Sequence, residues 1–226
     1  MVRVKICGIT DTRDARAAIE LGAAALGFNF YEKSPRVIAP ADAWKIRQTV
    51  PKGVQAVGVF VDWKPAAVVG LAQALELSAV QLHGDESPRD AGFCARRISV
   101  IKAFRVGNGF SLAELGKFRS ASWFLLDAAR AGQYGGTGHT TNWDLARKAA
   151  ARRPIILAGG LTLENVAEAI LAVRPYAVDV ASGVESRPGK KDHGKMREFF
   201  GEVERASLEL RRSKEVKSGK KKGKRD

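Results

Sequence analysis

The sequence predicts an α/β chain: a single (β/α)8 TIM barrel followed by a disordered basic tail. Three observations carry this reading. Short β-rich runs alternate with helical patterns along the whole 226-residue chain. Eight such units at a spacing of about 25 residues fill a closed barrel without surplus, whereas a doubly wound open sheet would need fewer strands. Polar residues end several of the strands, where packing alone would select Val, Ile or Leu.

The expected strands are Arg3–Cys7, Ala25–Phe30, Ala56–Val61, Ala79–His83, Val100–Val106, Trp123–Ala128, Pro154–Ala158 and Ala177–Ala181. Between them lie amphipathic stretches such as "DTRDARAAIELG", "PADAWKIRQTV", "KPAAVVGLAQALEL" and "TLENVAEAILAV". Thr10–Asp11, Ser87–Pro88, Ser111 and Thr162 mark helix starts, because short polar side chains can accept from the open N–H groups of a first turn. A last helix is expected over Lys195–Leu210. The barrel domain is therefore set at residues 1–210 and the tail at 211–226.

Composition is that of an ordinary globular chain, 45% hydrophobic and 27% charged. Two cysteines make no disulfide framework, and no run of about 18 uncharged residues suits a membrane span. The N-terminus enters a strand pattern directly rather than a targeting signal, so a cytoplasmic location is expected. The net charge of +14 points to nucleic acid until it is localised. Arg211–Asp226 alone carries +7, without apolar periodicity, and reads as a solvated tail with no specific partner. Oligomeric state is left between monomer and homodimer.

In such barrels chemistry sits at the C-terminal ends of the strands. In the first strand Val2, Val4 and Ile6 share one parity, which leaves Lys5 and Cys7 to point inward. Asp127 ends the sixth strand, Asp179 lies inside the apolar eighth, and the fourth puts Gln81 and His83 on one face. A buried carboxylate is costly unless paired, and Lys5 is a partner for one aspartate. A nearby ammonium would make Cys7 a usable base or nucleophile. Cys94 reads as inert packing.

Glycines follow the seventh and eighth strands in "ILAGGLT" and "VASGVES". Loops at these two positions frequently hold phosphate, and glycine lets backbone N–H groups approach an anion. "GQYGGTGHTT", after the sixth strand, is neither a P-loop nor a dinucleotide fingerprint, and reads as a lid. Arg36 in "EKSPR" offers a planar fork for a carboxylate or phosphate. His139 and His193 lack metal-ligand spacing, so no metal is expected.

Together "VKICGIT", "GFNFYEKSPR", "VGVFV", "VQLHGDE", "LLDA", "GGTG", "LAGGLTLENV" and "VDVASGVES" run in order from Val4 to Ser186. This ordered set resembles the phosphoribosylanthranilate isomerases of tryptophan biosynthesis. The resemblance implies an Amadori rearrangement of N-(5-phosphoribosyl)anthranilate, with Asp127 as general acid and Cys7 as general base. It further implies Arg36 for the anthranilate carboxylate, His83 as a site-lining residue and Asp179 for substrate hydroxyls. Gly159, Gly160, Ser182 and Gly183 would hold the phosphate. The partner is then a small-molecule substrate, and no cofactor is implied.

The chain departs from that family at Ala181, where a serine is common, and at Thr141–Asn142, where Phe–Asp is frequent. Two other readings are weighed. One is a phosphosugar-processing barrel using Lys5 as a Schiff-base amine. The other is a binding module whose basic tail engages RNA.

Overall fold

The computed structural model describes residues 1–107, 110–127 and 140–222, with backbone alone for 140–142 and 214–222. Eight strands form a closed parallel barrel in sequence order: β1 (Arg3–Cys7), β2 (Ala25–Asn29), β3 (Gln55–Phe60), β4 (Ala79–Leu82), β5 (Ser99–Arg105), β6 (Trp123–Asp127), β7 (Ile155–Ala158) and β8 (Ala177–Val180). The helices are α1 (Thr12–Glu20), α2 (Pro40–Arg47), α3 (Pro65–Ala74), α4 (Pro88–Ala95), α5 (Leu112–Lys117), α6 (Thr140–Ala150), α7 (Val166–Val173) and α8 (His193–Lys222). A short antiparallel hairpin, β9 (Glu185–Arg187) with β10 (Lys190–Lys191), follows β8.

The expected fold class is the observed one, and strand limits differ by a residue or two. Pro154 falls outside β7 because it has no N–H for the ladder. His83 lies just past β4, yet its N–H still donates to the Phe60 carbonyl at 2.8 Å. Asp11 caps α1 by accepting from Asp14 N, and Ser87 with Asp90 forms a reciprocal capping box on α4. Ser111 caps α5 by accepting from Ala113 N. Thr162 does not start its helix. Asn165 stands at the N-cap of α7, and its side chain accepts from Thr162 N and donates to the Gly160 carbonyl. Those two bonds close a turn between β7 and α7, which moves the helix start to Val166.

Alternation along the strands builds two apolar layers. Val57, Ala79, Ile101, Ala103, Leu125, Ile156, Ala158 and Ala177 fill the barrel interior. The opposite parity, including Ile6, Leu26, Phe28, Phe60, Leu82, Phe124 and Leu157, is buried beneath the helices. The α8 backbone runs to Lys222, but Ala206 and Ser207 are its last buried residues, with Leu210 partly buried against the core. The helix thus continues twelve residues past its expected end at Leu210.

One buried ion pair ties a loop to the wall. Lys102, on the helix-facing side of β5, reaches Glu86 Oε2 at 2.9 Å and the Gly84 carbonyl at 2.7 Å. Glu86 in turn accepts from the backbone N–H groups of Asp62 and Gly84. Removing one partner strands a buried charge. Lys102→Met should thus lower stability by about 3–5 kcal/mol in urea denaturation, and adding Glu86→Gln should restore part of it. A Lys102→Met protein as stable as wild type would contradict this role.

Candidate active site

The inward parity of β1 places Lys5 and Cys7 in the barrel, one above the other. Lys5 is the Cα partner of Asp179 across the β1–β8 seam, and its Nζ lies 2.9 Å from Asp179 Oδ1. Both are nearly fully buried. Cys7 pairs with Gly27 on β2. A Cβ on Gly27 would fall 2.9 Å from Cys7 Sγ and 3.1 Å from Lys5 Nζ, so the absent side chain makes room for both.

These neighbours set the state of the thiol. Burial pushes the Cys7 thiol up, the Lys5 ammonium pulls it down, Asp179 adds to the upward shift and Lys191 opposes it. The net direction is upward, so most of Cys7 is neutral thiol at neutral pH. For Lys5, burial favours the neutral amine but is outweighed by Asp179 and Cys7, and its ammonium is held above the ordinary lysine value.

Behind Cys7 a second charged cluster builds the rim. Arg36 donates through Nε and Nη2 to both carboxylate oxygens of Glu185, at 2.7–3.1 Å. Lys191 Nζ donates to Glu185, to the Cys7 carbonyl at 2.6 Å and to the Ala181 carbonyl at 3.2 Å. Gly8 has φ +73°, and a Cβ there would meet Arg36 Cδ at 2.6 Å, so glycine after Cys7 serves both backbone and neighbour. The loop carrying Arg36 is held by Asn29, whose amide donates to Ser34 Oγ. Asp14, fully buried at the foot of α1, accepts from Lys191 N and lies 2.9 Å from His193 Nε2.

Across the mouth, β6 ends at Asp127, with Arg105 as its Cα partner on β5. His83 Nε2 stands 3.9 Å from Asp127 Oδ2, and Gln81 Nε2 stands 2.7 Å from His83 Nδ1. Burial lowers the His83 imidazole, with Asp127 and Asp179 acting against it. Gly159 (φ +93°) and Gly160 (φ +61°) follow β7 in left-handed backbone. They lie beside the β8 loop through a parallel bridge between Thr162 and Gly183. A Cβ on Gly183 would sit 1.9 Å from the Leu161 carbonyl, so only glycine permits this approach. Ser182 is exposed on the same loop. In strand order the β7 and β8 loops lie between β6 and β1.

The predicted site residues thus gather at the C-terminal end of the barrel: Cys7, Arg36, His83, Asp127, Asp179 and the two glycine loops. Of the expected lid, 132–141, all but 140 and 141, which open α6, lies outside the described residues, His139 included. Sequence reasoning missed Glu185 and Lys191. Both fall in "ESRPGKKDH", a polar stretch with no periodicity to mark either as buried, and only the hairpin turns them inward. Cys94 is buried in α4, as its reading as packing requires.

A thiol, a carboxyl and an imidazole at the mouth of a (β/α)8 barrel, with paired glycine loops, define a barrel enzyme suited to proton transfer on a phosphorylated ligand. The comparisons give the family. The family model for N-(5'phosphoribosyl)anthranilate (PRA) isomerase matches residues 4–202, and the chain belongs to that family. An N-(5'-phosphoribosyl)anthranilate isomerase of Geobacter sulfurreducens is 53% identical over 200 residues, 88% of this chain and 97% of that one. The crystal structure of the Thermotoga maritima phosphoribosyl anthranilate isomerase is 46% identical with a TM-score of 0.83, covering 90% of this chain and 99% of that one. A phosphoribosyl anthranilate isomerase structure solved in complex with reduced 1-(o-carboxyphenylamino)-1-deoxyribulose 5-phosphate is 43% identical with a TM-score of 0.81 over the same shares.

The thiol makes a direct prediction. Alkylation of native Cys7 by iodoacetamide should still accelerate with pH at 9.0, the ordinary thiol value, because its ionisation is displaced upward. Lys5→Met should slow labelling at any fixed pH, since it removes the ammonium that favours thiolate. A rate that levels off below about pH 8, under the reference thiol value, would contradict the upward shift.

Proposed function

We propose that the chain catalyses the Amadori rearrangement of N-(5-phosphoribosyl)anthranilate to 1-(o-carboxyphenylamino)-1-deoxyribulose 5-phosphate, the isomerase step of tryptophan biosynthesis. The observation that carries this reading is the arrangement of Cys7 on β1 and Asp127 on β6 with the apposed β7 and β8 glycine loops between them. A ligand whose phosphate rests on those loops presents its sugar to both groups. The relative solved with the reduced product analogue supports the same ligand class.

In this reading Asp127 protonates the furanose ring oxygen, which opens the ring. Cys7 removes the proton from C2′ of the opened form, and the resulting enolamine tautomerises to the ketone. General acid and general base are each worth on the order of 10²–10⁴-fold. Arg36, its plane set by Glu185, accepts the anthranilate carboxylate, while His83 and Asp179 line the sugar subsite. Backbone N–H groups of Gly159, Gly160, Ser182 and Gly183 take the phosphate. Ala181 supplies no hydroxyl, but its carbonyl accepts from Lys191, which also donates to the Cys7 carbonyl.

The Lys5 geometry speaks against a Schiff-base mechanism. A nucleophilic amine must be neutral, whereas Asp179 at 2.9 Å holds Lys5 as the ammonium. Among the described residues no helix is long and apolar enough to cross a membrane.

Cys7→Ala and Asp127→Asn should each cut turnover of phosphoribosylanthranilate by about 10²-fold or more while leaving the circular dichroism spectrum unchanged. Near-wild-type turnover in either variant would sink the assignment. Deleting 211–226 should leave turnover intact, and a large loss would favour a functional tail.

A further inference from the structure

Gln81 has no part in the roles assigned above, yet it is completely buried inside a barrel whose interior is otherwise largely small and apolar. Its amide nitrogen lies 2.7 Å from His83 Nδ1, and among the described residues its buried Oε1 has no hydrogen-bond partner. The far side of the same imidazole, Nε2, faces Asp127 Oδ2 at 3.9 Å. Gln81, His83 and Asp127 therefore form a line from the barrel floor to the mouth.

Hydrogen-bond bookkeeping decides which way the line is polarised. With the amide nitrogen on Nδ1, Gln81 donates, the ring must accept there, and the neutral ring's one N–H sits on Nε2. Turning the amide over would put an NH2 group, with two donors, where one carbonyl now stands unpaired. Under-satisfied carbonyls are the more tolerable of the two in protein interiors.

We propose that Gln81 is a positioning residue that donates to His83 Nδ1, holds the ring as the neutral Nε2–H tautomer, and so presents a neutral N–H to Asp127. This rests on the reading of Asp127 as the acid, and it keeps a cation away from that acid. An imidazolium 3.9 Å from Asp127 Oδ2 would set a full positive charge against the carboxyl, whereas the neutral ring sets none.

Every wall of the barrel near the ring bears on its charge. Asp127 on β6 and Asp179 on β8 favour the imidazolium, while burial, Lys5 on β1 and Lys102 on β5 oppose it. The net direction is towards the neutral ring. Gln81 adds a geometric veto, because an imidazolium would set two N–H groups against each other at 2.7 Å.

The test is the tautomer, read by long-range proton–nitrogen NMR on the full chain labelled with 15N-histidine. The chain has three histidines, so a His83→Gln spectrum assigns the ring. Wild-type His83 should carry its proton on Nε2 with Nδ1 bare at about pH 7, near the ordinary histidine range. In Gln81→Leu the ring should move to the imidazolium or the Nδ1–H form. The same variant should lose kcat by roughly 10- to 100-fold, within the range of acid catalysis, with KM little changed. Gln81→Glu, whose carboxylate favours Nδ1–H, should lose more. Gln81→Met, closer in shape, serves if the leucine variant does not fold.

A wild-type ring protonated on Nδ1, or a tautomer indifferent to residue 81, would overturn the role of Gln81. A changed tautomer with undiminished kcat would overturn its coupling to Asp127. An active Asp127→Asn protein would instead remove the acid assignment and leave the tautomer result standing.

Discussion

The pair between Lys5 and Asp179 is the constraint on which the site depends. It sits at the seam where β1 meets β8 and closes the barrel, with both charges nearly fully buried. Two ions taken out of water return little net stability, so a pair of hydrophobic residues would serve a purely structural barrel as well. What the pair supplies is a fixed ammonium beneath a thiol. Gly27 leaves space for both groups, and the Lys191–Glu185–Arg36 cluster repeats the arrangement one layer higher. Cys7 is thus bracketed by two cations, each already engaged with a carboxylate. The thiolate is assisted without being made permanent, which suits a base that must release its proton again.

On the opposite wall the same physics is used with the other sign. The imidazole beside Asp127 is held neutral by burial. One mouth thereby carries a carboxyl beside an uncharged ring and a thiol whose ionisation burial opposes and the Lys5 and Lys191 ammoniums ease. Strand order determines what lies between them. Four adjacent strands, β6, β7, β8 and β1, carry Asp127, two glycine loops and Cys7 in turn. In the proposed reaction, donor and acceptor would address one sugar from different directions. The fold contributes position, and the charges contribute timing.

Much of this was legible in the sequence, for physical reasons that can be named. Period-two alternation placed Lys5 and Cys7 inside, because a one-residue shift would have put Lys5 beneath the helices, where Val4 and Ile6 pack. The strand-end aspartates and the paired glycine motifs stood out because packing alone would not choose them. Glu185 and Lys191 did not stand out, since a buried charge pair in a loop looks like any solvated "EKK" stretch until a hairpin folds it inward. Thr162 looked like a helix cap, but Asn165 folds the chain back onto Thr162 N and the Gly160 carbonyl, so the helix starts three residues later. Gln81 was visible only as a polar residue sharing a face with His83. Its meaning lies in an amide orientation that no sequence pattern encodes.

The account stands or falls on a proton moving from C2′ of the substrate to Cys7. Phosphoribosylanthranilate carrying deuterium at C2′, followed through a single turnover so that product release cannot hide the step, isolates that event. Conversion should be slower than for the protium substrate, and the product should contain solvent hydrogen where the thiol exchanged before returning its proton. Equal rates with full retention of the label would contradict proton abstraction by Cys7.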